Sequence, residues 1–342
     1  MEKNNTIIIT GGGTGGHLSV ARSFIDQFYK RGYNVIFIGS TKGSDRKWFE
    51  NEPKLYKKFF MDTRGVVNQS KLGKLYSLYL IAKAIIKSII IIKKQNTTKV
   101  ISVGGFSAAP ASFAAILTKT DFYIHEQNSV MGKLNKITSK MAKDIFSSYL
   151  ENSKVKDYPI SKKFFKKIRI RDKIKTVIFL GGSQGATAIN NFALVVAKDL
   201  DNLGINIIHQ TGTNDLEKCK NHYQQLNISA DVFDFDTNIL DKMDKADFAV
   251  SRSGASTLWE LVAIGLPALF VPYPYAAADH QYHNAKYLFD NNLCFLKRED
   301  QLSKEYLLDI IKKEDIEDIS RSLTNLIKKD AVENIVDIIL KD

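Results

Sequence analysis

Short apolar runs alternate along this chain with longer segments whose apolar positions recur every three or four residues. In the first half the runs Thr6–Thr10, Asn34–Ile38, Val100–Val103 and Phe122–His125 read as strands. The periodic segments Leu18–Lys30, Ser44–Asn51, Leu75–Lys94 and Ala109–Thr118 read as helices. The second half repeats the scheme. Its strands are predicted at Thr176–Leu180, Asn206–His209, Asp231–Phe233, Phe248–Ser251 and Ala268–Val271, and its helices at Ala186–Leu200, Leu216–Asn227, Ser256–Ile264 and Asp279–Asp290. Strand–helix alternation with Gly/Ser turns predicts α/β architecture with parallel, doubly wound sheets. A length of 342 residues suits two such domains. The basic stretch Glu151–Lys175, which contains Pro159, separates the two repeats. The tail from Leu302 to Asp342 reads as closing helices.

Composition narrows the class. An apolar fraction of 44% supplies an ordinary globular core. Cys219 and Cys294 are the only cysteines and match neither a disulfide framework nor a zinc site, so a reducing compartment is expected. The opening residues run straight into the first strand, and no secretory signal is expected. Leu75 to Ile92 is broken by Lys83 and Lys87, so no membrane-spanning helix is expected either. The formal charge of +12 calls for an anionic partner or surface. Lys71 to Lys99 holds seven lysines and no acid, and Lys154 to Lys175 holds ten basic residues against Asp157 and Asp172. Neither block interleaves aromatic residues at base-stacking spacing, which argues against nucleic acid. Leu75–Lys94 sets Leu75, Leu78, Ile81, Ile85, Ile89 and Ile92 beside Lys83, Lys87, Lys93 and Lys94. That helix is either part core with solvated lysines or an interfacial surface for anionic lipid.

Candidate chemistry collects at the ends of the strands, where ligands of such sheets bind. Ile7-Ile8-Ile9-Thr10-Gly11-Gly12-Gly13-Thr14-Gly15-Gly16-His17 and Val177-Ile178-Phe179-Leu180-Gly181-Gly182-Ser183-Gln184-Gly185-Ala186 are two copies of one pattern. Each is a buried strand, a glycine turn and a helix start, an arrangement that offers backbone N–H groups to an anion. Close packing of strand and helix would also explain the glycines. Two copies suggest two similar domains with a cleft between them. His17, at the first turn of its helix, suits a general base or an oxyanion donor. Ile124-His125-Glu126-Gln127-Asn128 ends an apolar strand in four polar residues, costly to bury unless they line a polar site or brace the next loop. Val103-Gly104-Gly105-Phe106-Ser107-Ala108-Ala109-Pro110 is a further strand, turn and helix entry. Ser251-Arg252-Ser253-Gly254-Ala255-Ser256-Thr257-Leu258-Trp259-Glu260 lets a ligand approach the backbone, and Glu260 can accept from a ribose diol or cap its helix. His280 and His283 lack a third ligand, and Asp234-Phe235-Asp236 reads as a loop after a strand, so no metal is expected.

These segments, in this order from Ile7 to about Asn284, resemble the MurG family. The most specific pieces are Gly11–His17, His125–Asn128, Gly181–Ala186, Arg252–Ala255, and Asp279–Gln281 with Asn284-Ala285. The resemblance implies the GT-B fold, two doubly wound parallel-sheet (Rossmann-like) domains facing a central cleft. It implies an N-terminal acceptor and membrane-facing domain over 1–155, joined by a closing helix at 319–342, and a donor domain over 170–318. The implied reaction is inverting, metal-independent and cofactor-free. N-acetylglucosamine moves from UDP-N-acetylglucosamine (UDP-GlcNAc) to the N-acetylmuramyl 4-hydroxyl of lipid I, giving lipid II for peptidoglycan. Donor contacts carry over onto Thr14, Gly15, Gly16, Asn128, Ser183, Phe235, Ala255, Ser256, Thr257, Leu258, Glu260 and Gln281, with Glu260 on the ribose and Ser183 on the diphosphate. His17 is the implied base, with Glu126 next in line. The family's membrane-facing surface coincides with Leu75–Lys94, which implies peripheral attachment to the cytoplasmic face of the inner membrane and contact with other cell-wall synthesis proteins. Two departures stand out. The family's usual arginine before the second domain is Ser161, with Lys162 and Lys163 following, and its usual tyrosine after Gly-Gly is Phe106. The competing readings are another GT-B transferase, a UDP-GlcNAc epimerase, a non-catalytic nucleotide-sugar-binding membrane protein, and a dinucleotide oxidoreductase. Against the last, no acid closes the strand that ends in Ile38-Gly39-Ser40.

Overall fold

The computed structural model describes residues 5–65, 70–182, 185–236, 238–313 and 315–341. They divide into two compact units, Met1–Ile160 with Lys329–Asp342, and Ser161–Lys328.

The first unit runs β1 (Thr6–Thr10), α1 (Gly15–Lys30), β2 (Asn34–Ser40), α2 (Asp45–Phe49), β3 (Lys57–Met61), α3 (Lys71–Lys94), β4 (Lys99–Ser102), α4 (Ala109–Thr118), β5 (Asp121–His125), α5 (Lys133–Thr138) and β6 (Asp144–Phe146). Its six strands are ordered β3-β2-β1-β4-β5-β6, and every pairing is parallel. Ile7, Ile8 and Ile9 are fully buried, as a central strand covered on both faces requires. The edge strands β3 and β6 escape the apolar pattern for a physical reason. Lys57 and Lys58 lie on a partly exposed edge, and Asp144–Phe146 has only three residues.

Helix α3 starts four residues earlier than its apolar pattern predicts, because Ser70 Oγ accepts from Gly73 N–H at 3.2 Å and caps it. Its inward face is Ser77, Leu80, Ala84, Ser88 and Ile92. The small residues of that face meet Ala111, Ala114 and Ala115 of α4 in one core cluster or beside it. Leu75 and Leu78, predicted as part of the apolar body, are instead exposed, with Leu72, Tyr76, Tyr79, Ile86 and Ile90. By length and composition alone, residues Leu72–Lys94 would suffice to cross a membrane despite Lys83 and Lys87, with a mean hydropathy of 1.9 in their most apolar window. The inward face is nevertheless committed to the first unit's core.

The second unit runs α6 (Lys162–Phe165), β7 (Thr176–Leu180), α7 (Thr187–Asn202), β8 (Asn206–Gln210), α8 (Leu216–Gln225), β9 (Ala230–Phe233), α9 (Ile239–Lys245), β10 (Phe248–Ser251), α10 (Ala255–Ala263), β11 (Ala268–Phe270), α11 (His280–Phe289), β12 (Phe295–Leu296), α12 (Lys304–Lys313) and α13 (Glu317–Leu326). The order β12-β11-β10-β7-β8-β9, all parallel, repeats the first sheet's topology strand for strand. Val177, Phe179, Ile207, Phe248 and Val250 lie in its core with Ile189 and Val196 of α7.

Part of the basic stretch before β7 is structural. Lys167 pairs with Asp244 at 2.8 Å and Arg169 with Asp247 at 2.7 Å. Arg171 is buried and donates to the carbonyls of Ala246, Arg169 and Ile264. Ala246 and Ile264 cap the C-termini of α9 and α10, where a cation is favoured. Burial lowers the guanidinium to about 9, the neighbouring Arg169 adds to the fall, and Asp247 and Asp244 oppose it. Ser320 of α13 accepts from Arg171 N–H at 3.0 Å and donates to the Gly265 carbonyl at 2.6 Å. The chain from Glu317 to Leu326 therefore packs in the second unit. The last helix, α14 (Ala331–Lys341), packs on α1 in the first, where Asp337 pairs with Arg31 at 2.6 Å. The closing segment expected at 319–342 is thus split between the units at Lys328–Lys329.

Candidate active site

In each sheet the two adjacent central strands send their helices to opposite faces, and the glycine turns sit at their C-terminal ends. That is the switch point at which such folds bind ligands. In the first unit the turn after β1 and the turn after β4 lock together. Gly12 N–H donates to the Gly104 carbonyl at 3.1 Å. A Cβ on Gly11 would lie 2.4 Å from Gly104 O, and one on Gly105 would lie 2.1 Å from Gly12 O. A Cβ on Gly13 would lie 2.6 Å from the Phe106 ring. Close packing therefore accounts for these glycines. It does not account for Gly15, whose Cβ would approach only Trp48, at 3.9 Å. Thr14 and Gly15 are exposed at the start of α1, and Gly16 follows them half-buried. Thr14 Oγ1 lies 2.8 Å from His17 Nδ1. His17 Nε2 lies beside Gly104, 3.3 Å from where a Cβ there would be.

The polar end of β5 turns mostly inward. His125 is buried, edge-on to Phe24 and Tyr158, and burial with the nearby His17 lowers its imidazole to about 3. Gln127 donates to the Val103 carbonyl at 3.2 Å and accepts from Tyr158 Oη at 3.3 Å. Glu126 accepts from Asn128 N–H at 2.9 Å, Gly132 N–H at 3.0 Å and Asn135 Nδ2 at 2.8 Å. Both of its oxygens are thus occupied in bracing the loop to α5, which argues against the base role expected of it. Asn128 alone of the four is half-exposed.

In the second unit Gly182 adopts φ 75 and a Cβ there would meet nothing within 4 Å among the described residues. Gly185 packs on the Thr211 carbonyl, 2.6 Å from where its Cβ would be. Ser183 lies outside the described residues. A buried network holds the helix that follows: Asn190 donates to Thr211 O at 2.9 Å and to Asp215 at 2.8 Å, and its Oδ1 lies 3.1 Å from His209 Nε2. Burial lowers His209 to about 4 against the pull of Asp215, so it is neutral and can donate one ring proton within this network.

Helix α10 presents one polar face. Ser256, Thr257 and Glu260 are half-buried, while Ala255, Leu258 and Trp259 face the core. Leu258 corrects its expectation as a ligand contact: its side chain is fully buried and its N–H donates to Gly254 O at 3.0 Å. Ala255 offers a ligand backbone only. No hydrogen bond to the Glu260 carboxyl is found among the described residues, and it does not cap its helix. Burial raises it to about 7, opposed by Lys163 of α6. Lys163 lies two residues past Ser161, the position of the family's missing arginine, and its charge is the one that opposes the rise at Glu260.

Gln281 joins two loops to α11. Its Oε1 accepts from Tyr273 N–H at 3.0 Å and its carbonyl from Ser253 Oγ at 2.8 Å. Arg252 is structural, paired with Glu299 at 2.5 Å and bonded to the Val271 and Pro272 carbonyls. Asp279 and the preceding Ala278 both have φ near 50, and Asp279 pairs with Arg298 at 2.6 Å. Phe235 stands 52% exposed beyond β9. Asp234 and Asp236 accept from the backbone of their own loop. The sequence reading missed Asp45. It is fully buried and accepts from Gly13 N–H at 2.6 Å and Ser40 N–H at 2.9 Å. Five residues past β2, it carries no pattern that marks it.

Residues 7–147 match the glycosyltransferase family 28 N-terminal domain and residues 176–337 its C-terminal domain. The chain is 46% identical over 334 residues to the UDP-N-acetylglucosamine--N-acetylmuramyl-(pentapeptide) pyrophosphoryl-undecaprenol N-acetylglucosamine transferase of Sulfurovum sp. (strain NBC37-1), covering 98% of each. It is 49% identical over 324 residues to the enzyme of that name from Campylobacter jejuni subsp. doylei, covering 95% of this chain and 94% of that one. Among solved structures, Acinetobacter baumannii MurG superposes with a TM-score of 0.80 at 25% identity over 99% of this chain and 100% of that one. A UDP-GlcNAc 2-epimerase from Neisseria meningitidis bound to UDP-GlcNAc gives 0.66 at 12% identity over 98% and 100%, a likeness of fold alone.

Proposed function

The chain belongs to the family of UDP-N-acetylglucosamine--N-acetylmuramyl-(pentapeptide) pyrophosphoryl-undecaprenol N-acetylglucosamine transferases, and on that premise we propose that it transfers N-acetylglucosamine from UDP-GlcNAc to lipid I, forming lipid II. Its fold is the two-domain glycosyltransferase type, GT-B. Near-full-length identity to relatives of one activity carries this reading.

The second unit takes the donor. The open space at Gly182 and the N-terminus of the sixteen-residue α7 suit the diphosphate. Glu260, on the polar face of α10 with no hydrogen bond to its carboxyl among the described residues, suits the ribose diol. Ser256, Thr257 and Gln281 supply further polar contacts, Ser183 a hydroxyl at the turn, and Phe235 an exposed ring. The first unit takes the acceptor at His17, and Thr14, Gly15, Gly16 and Asn128, the last in the polar stretch that follows β5, keep the donor contacts that the resemblance implies. When His17 Nδ1–H donates to Thr14 Oγ1, Nε2 is the unprotonated ring nitrogen. Nε2 then takes the proton of the attacking 4-hydroxyl. The hydroxyl oxygen bonds to the sugar C1, and the bond from C1 to UDP breaks on the opposite face, inverting the anomeric centre.

The outer face of α3, apolar with Lys74, Lys83, Lys87, Lys93 and Lys94 exposed, suits an anionic membrane surface. This supports peripheral attachment at the cytoplasmic face, where lipid I would be reached. The test is turnover of UDP-GlcNAc with a lipid I analogue in detergent. Release of UDP together with a disaccharide product is expected. UDP-GlcNAc hydrolysis or epimerisation without transfer would overturn the reading.

A further inference from the structure

We infer that His209 and Tyr223 are positioning residues for the donor: they fix the amide of Asn190, which anchors the N-terminal turn of α7 where the diphosphate binds. The inference rests on the reading of the second unit as the donor site, and adds to it the side chains that hold that site's helix in place.

The bonds form one directed chain. Asn190 lies one turn inside α7 and donates both Nδ2 protons, to Thr211 O at 2.9 Å and to Asp215 Oδ2 at 2.8 Å. Its Oδ1 can only accept, and His209 Nε2 lies 3.1 Å away. His209 therefore carries its proton on Nε2, which leaves Nδ1 to accept from Tyr223 Oη at 3.0 Å. Burial keeps the imidazole neutral and the Tyr223 phenol protonated, as each role demands. The reversed amide would set Oδ1 against the Thr211 carbonyl and the Asp215 carboxylate, and Nδ2 against a donor. One tautomer of His209 thus selects one orientation of Asn190. The loop so gripped also supports the glycine turn before α7. Gly181 N–H donates to Gln210 O at 3.3 Å, and Gly185 rests on Thr211 O. Thr211 N–H is itself held by Phe233 O at 2.9 Å. Asp215 stands at the start of α8, where its charge is favoured, and Thr187 Oγ1 donates to it at 3.4 Å.

The fold does not need these polar groups. The first sheet repeats the topology, and Phe37 pairs with Ile9 as His209 pairs with Phe179. Val20 stands at the same offset from the end of β1 as Asn190 from the end of β7. Phe37 and Val20 are fully buried, so an apolar pair fills the same places in the same architecture. A buried polar network costs more than such a pair unless its members are bonded, and when bonded it specifies geometry. The geometry specified here is the place of the first turn of α7. The open N–H groups and dipole of a helix start favour an anion at short range only. A misplacement of about 1 Å costs much of such a contact.

The test is calorimetry on the full chain in detergent with UDP and with uridine, which lacks the diphosphate. Tyr223→Phe removes the donor to His209, and His209→Phe removes the donor to Asn190. His209→Phe combined with Asn190→Val installs the first unit's apolar pair and removes the orphaned amide as well. His209→Phe and the double variant should weaken UDP roughly tenfold, within the range of anion contacts at helix starts. Uridine affinity should stay within about twofold. The donor KM should rise with the UDP Kd, and the KM of the lipid I analogue should not. Tyr223→Phe should fall between wild type and His209→Phe. Equal weakening of UDP and uridine would overturn the inference, since general loosening of the unit does not single out the diphosphate. Unchanged UDP affinity in the double variant would overturn it too. Loss of fold in both His209 variants, by circular dichroism, would also overturn it and make the network a stability device. A wild type that binds UDP but transfers no sugar would sink the functional reading, while the ratio of UDP to uridine affinity would still decide the role of His209.

Discussion

At the scale of single residues, the donor site turns on an acid held in an unusual state. Burial raises the Glu260 carboxyl to about 7 against the pull of Lys163. In the free protein it therefore carries its proton through much of the mildly acid range. The ribose hydroxyls donate, so they bind the charged form, and binding must expel that proton below about pH 7. UDP affinity should then fall as pH drops through that value, by up to about tenfold per unit. Calorimetry at pH 6 in buffers of different ionisation heat should show proton release that vanishes at pH 8. Glu260→Gln should abolish the pH dependence and raise the donor KM by the equivalent of about 1.5–3 kcal/mol, the range for bonds to charged groups. Unchanged UDP affinity in this variant would remove Glu260 from the ribose role. His17 acts on the other substrate. His17→Ala should cut kcat by roughly 10²–10⁴-fold and leave donor affinity nearly intact. A collapse of donor affinity would make His17 a loop residue. In sequence the His17 role rests on its place after the glycine turn and on the resemblance, which ranks it ahead of Glu126. The structure argues the difference through bonds: Glu126 has three donors on its carboxylate, while His17 keeps Nε2 beside the Gly104 backbone.

At the scale of elements, the central strands were legible because full burial leaves no alternative to a continuous apolar run. Thr6–Thr10, Thr176–Leu180 and Phe248–Ser251 coincide with their predicted bounds. The edges were not legible, since β3, β6 and β12 are short or half-exposed and need no such run. Asp45 was invisible for a different reason, because a buried acid bonded to backbone amides leaves no periodic trace. Helix α3 inverts the usual rule. Its inner face carries Ser77, Ala84 and Ser88, and its outer face carries Leu72, Leu75, Tyr79, Ile86 and Ile90. Apolar periodicity therefore pointed partly the wrong way, and only the packing on α4 distinguishes the faces. An outer face of this composition predicts adsorption to lipid. Replacing Lys83, Lys87, Lys93 and Lys94 by Gln should weaken binding to anionic vesicles by about 1 kcal/mol per charge. The loss should shrink at high salt, since screening already weakens those charges. Vesicle binding indifferent to both the substitutions and salt would show that the outer face serves another purpose.

At the scale of the whole molecule, the two units are not contiguous in sequence. The chain leaves the first at Ile160 and returns at Lys329 with a single helix. That helix buries Ala331, Val332, Ile335, Val336 and Ile339 and is tied to α1 through Arg31. The second unit closes its own core before this, with α12 and α13 packed inside it and Ser320 bonded to Gly265 and Arg171. A chain ending at Lys328 should therefore damage one unit and spare the other. The larger apolar side chains lost are each worth roughly 1.5–3 kcal/mol of burial, together comparable with the whole stability of a domain. Such a chain should expose dye-binding apolar surface and lose turnover of the lipid I analogue. Its UDP affinity and stoichiometry should stay within about twofold, because nothing in the second unit's core has been removed. Excess UDP, at about 100 times its Kd, should still protect that unit by about 2.7 kcal/mol against thermal unfolding. Loss of UDP binding along with the helix would mean that the two units fold only together, and that donor recognition draws on the first unit as well as the second.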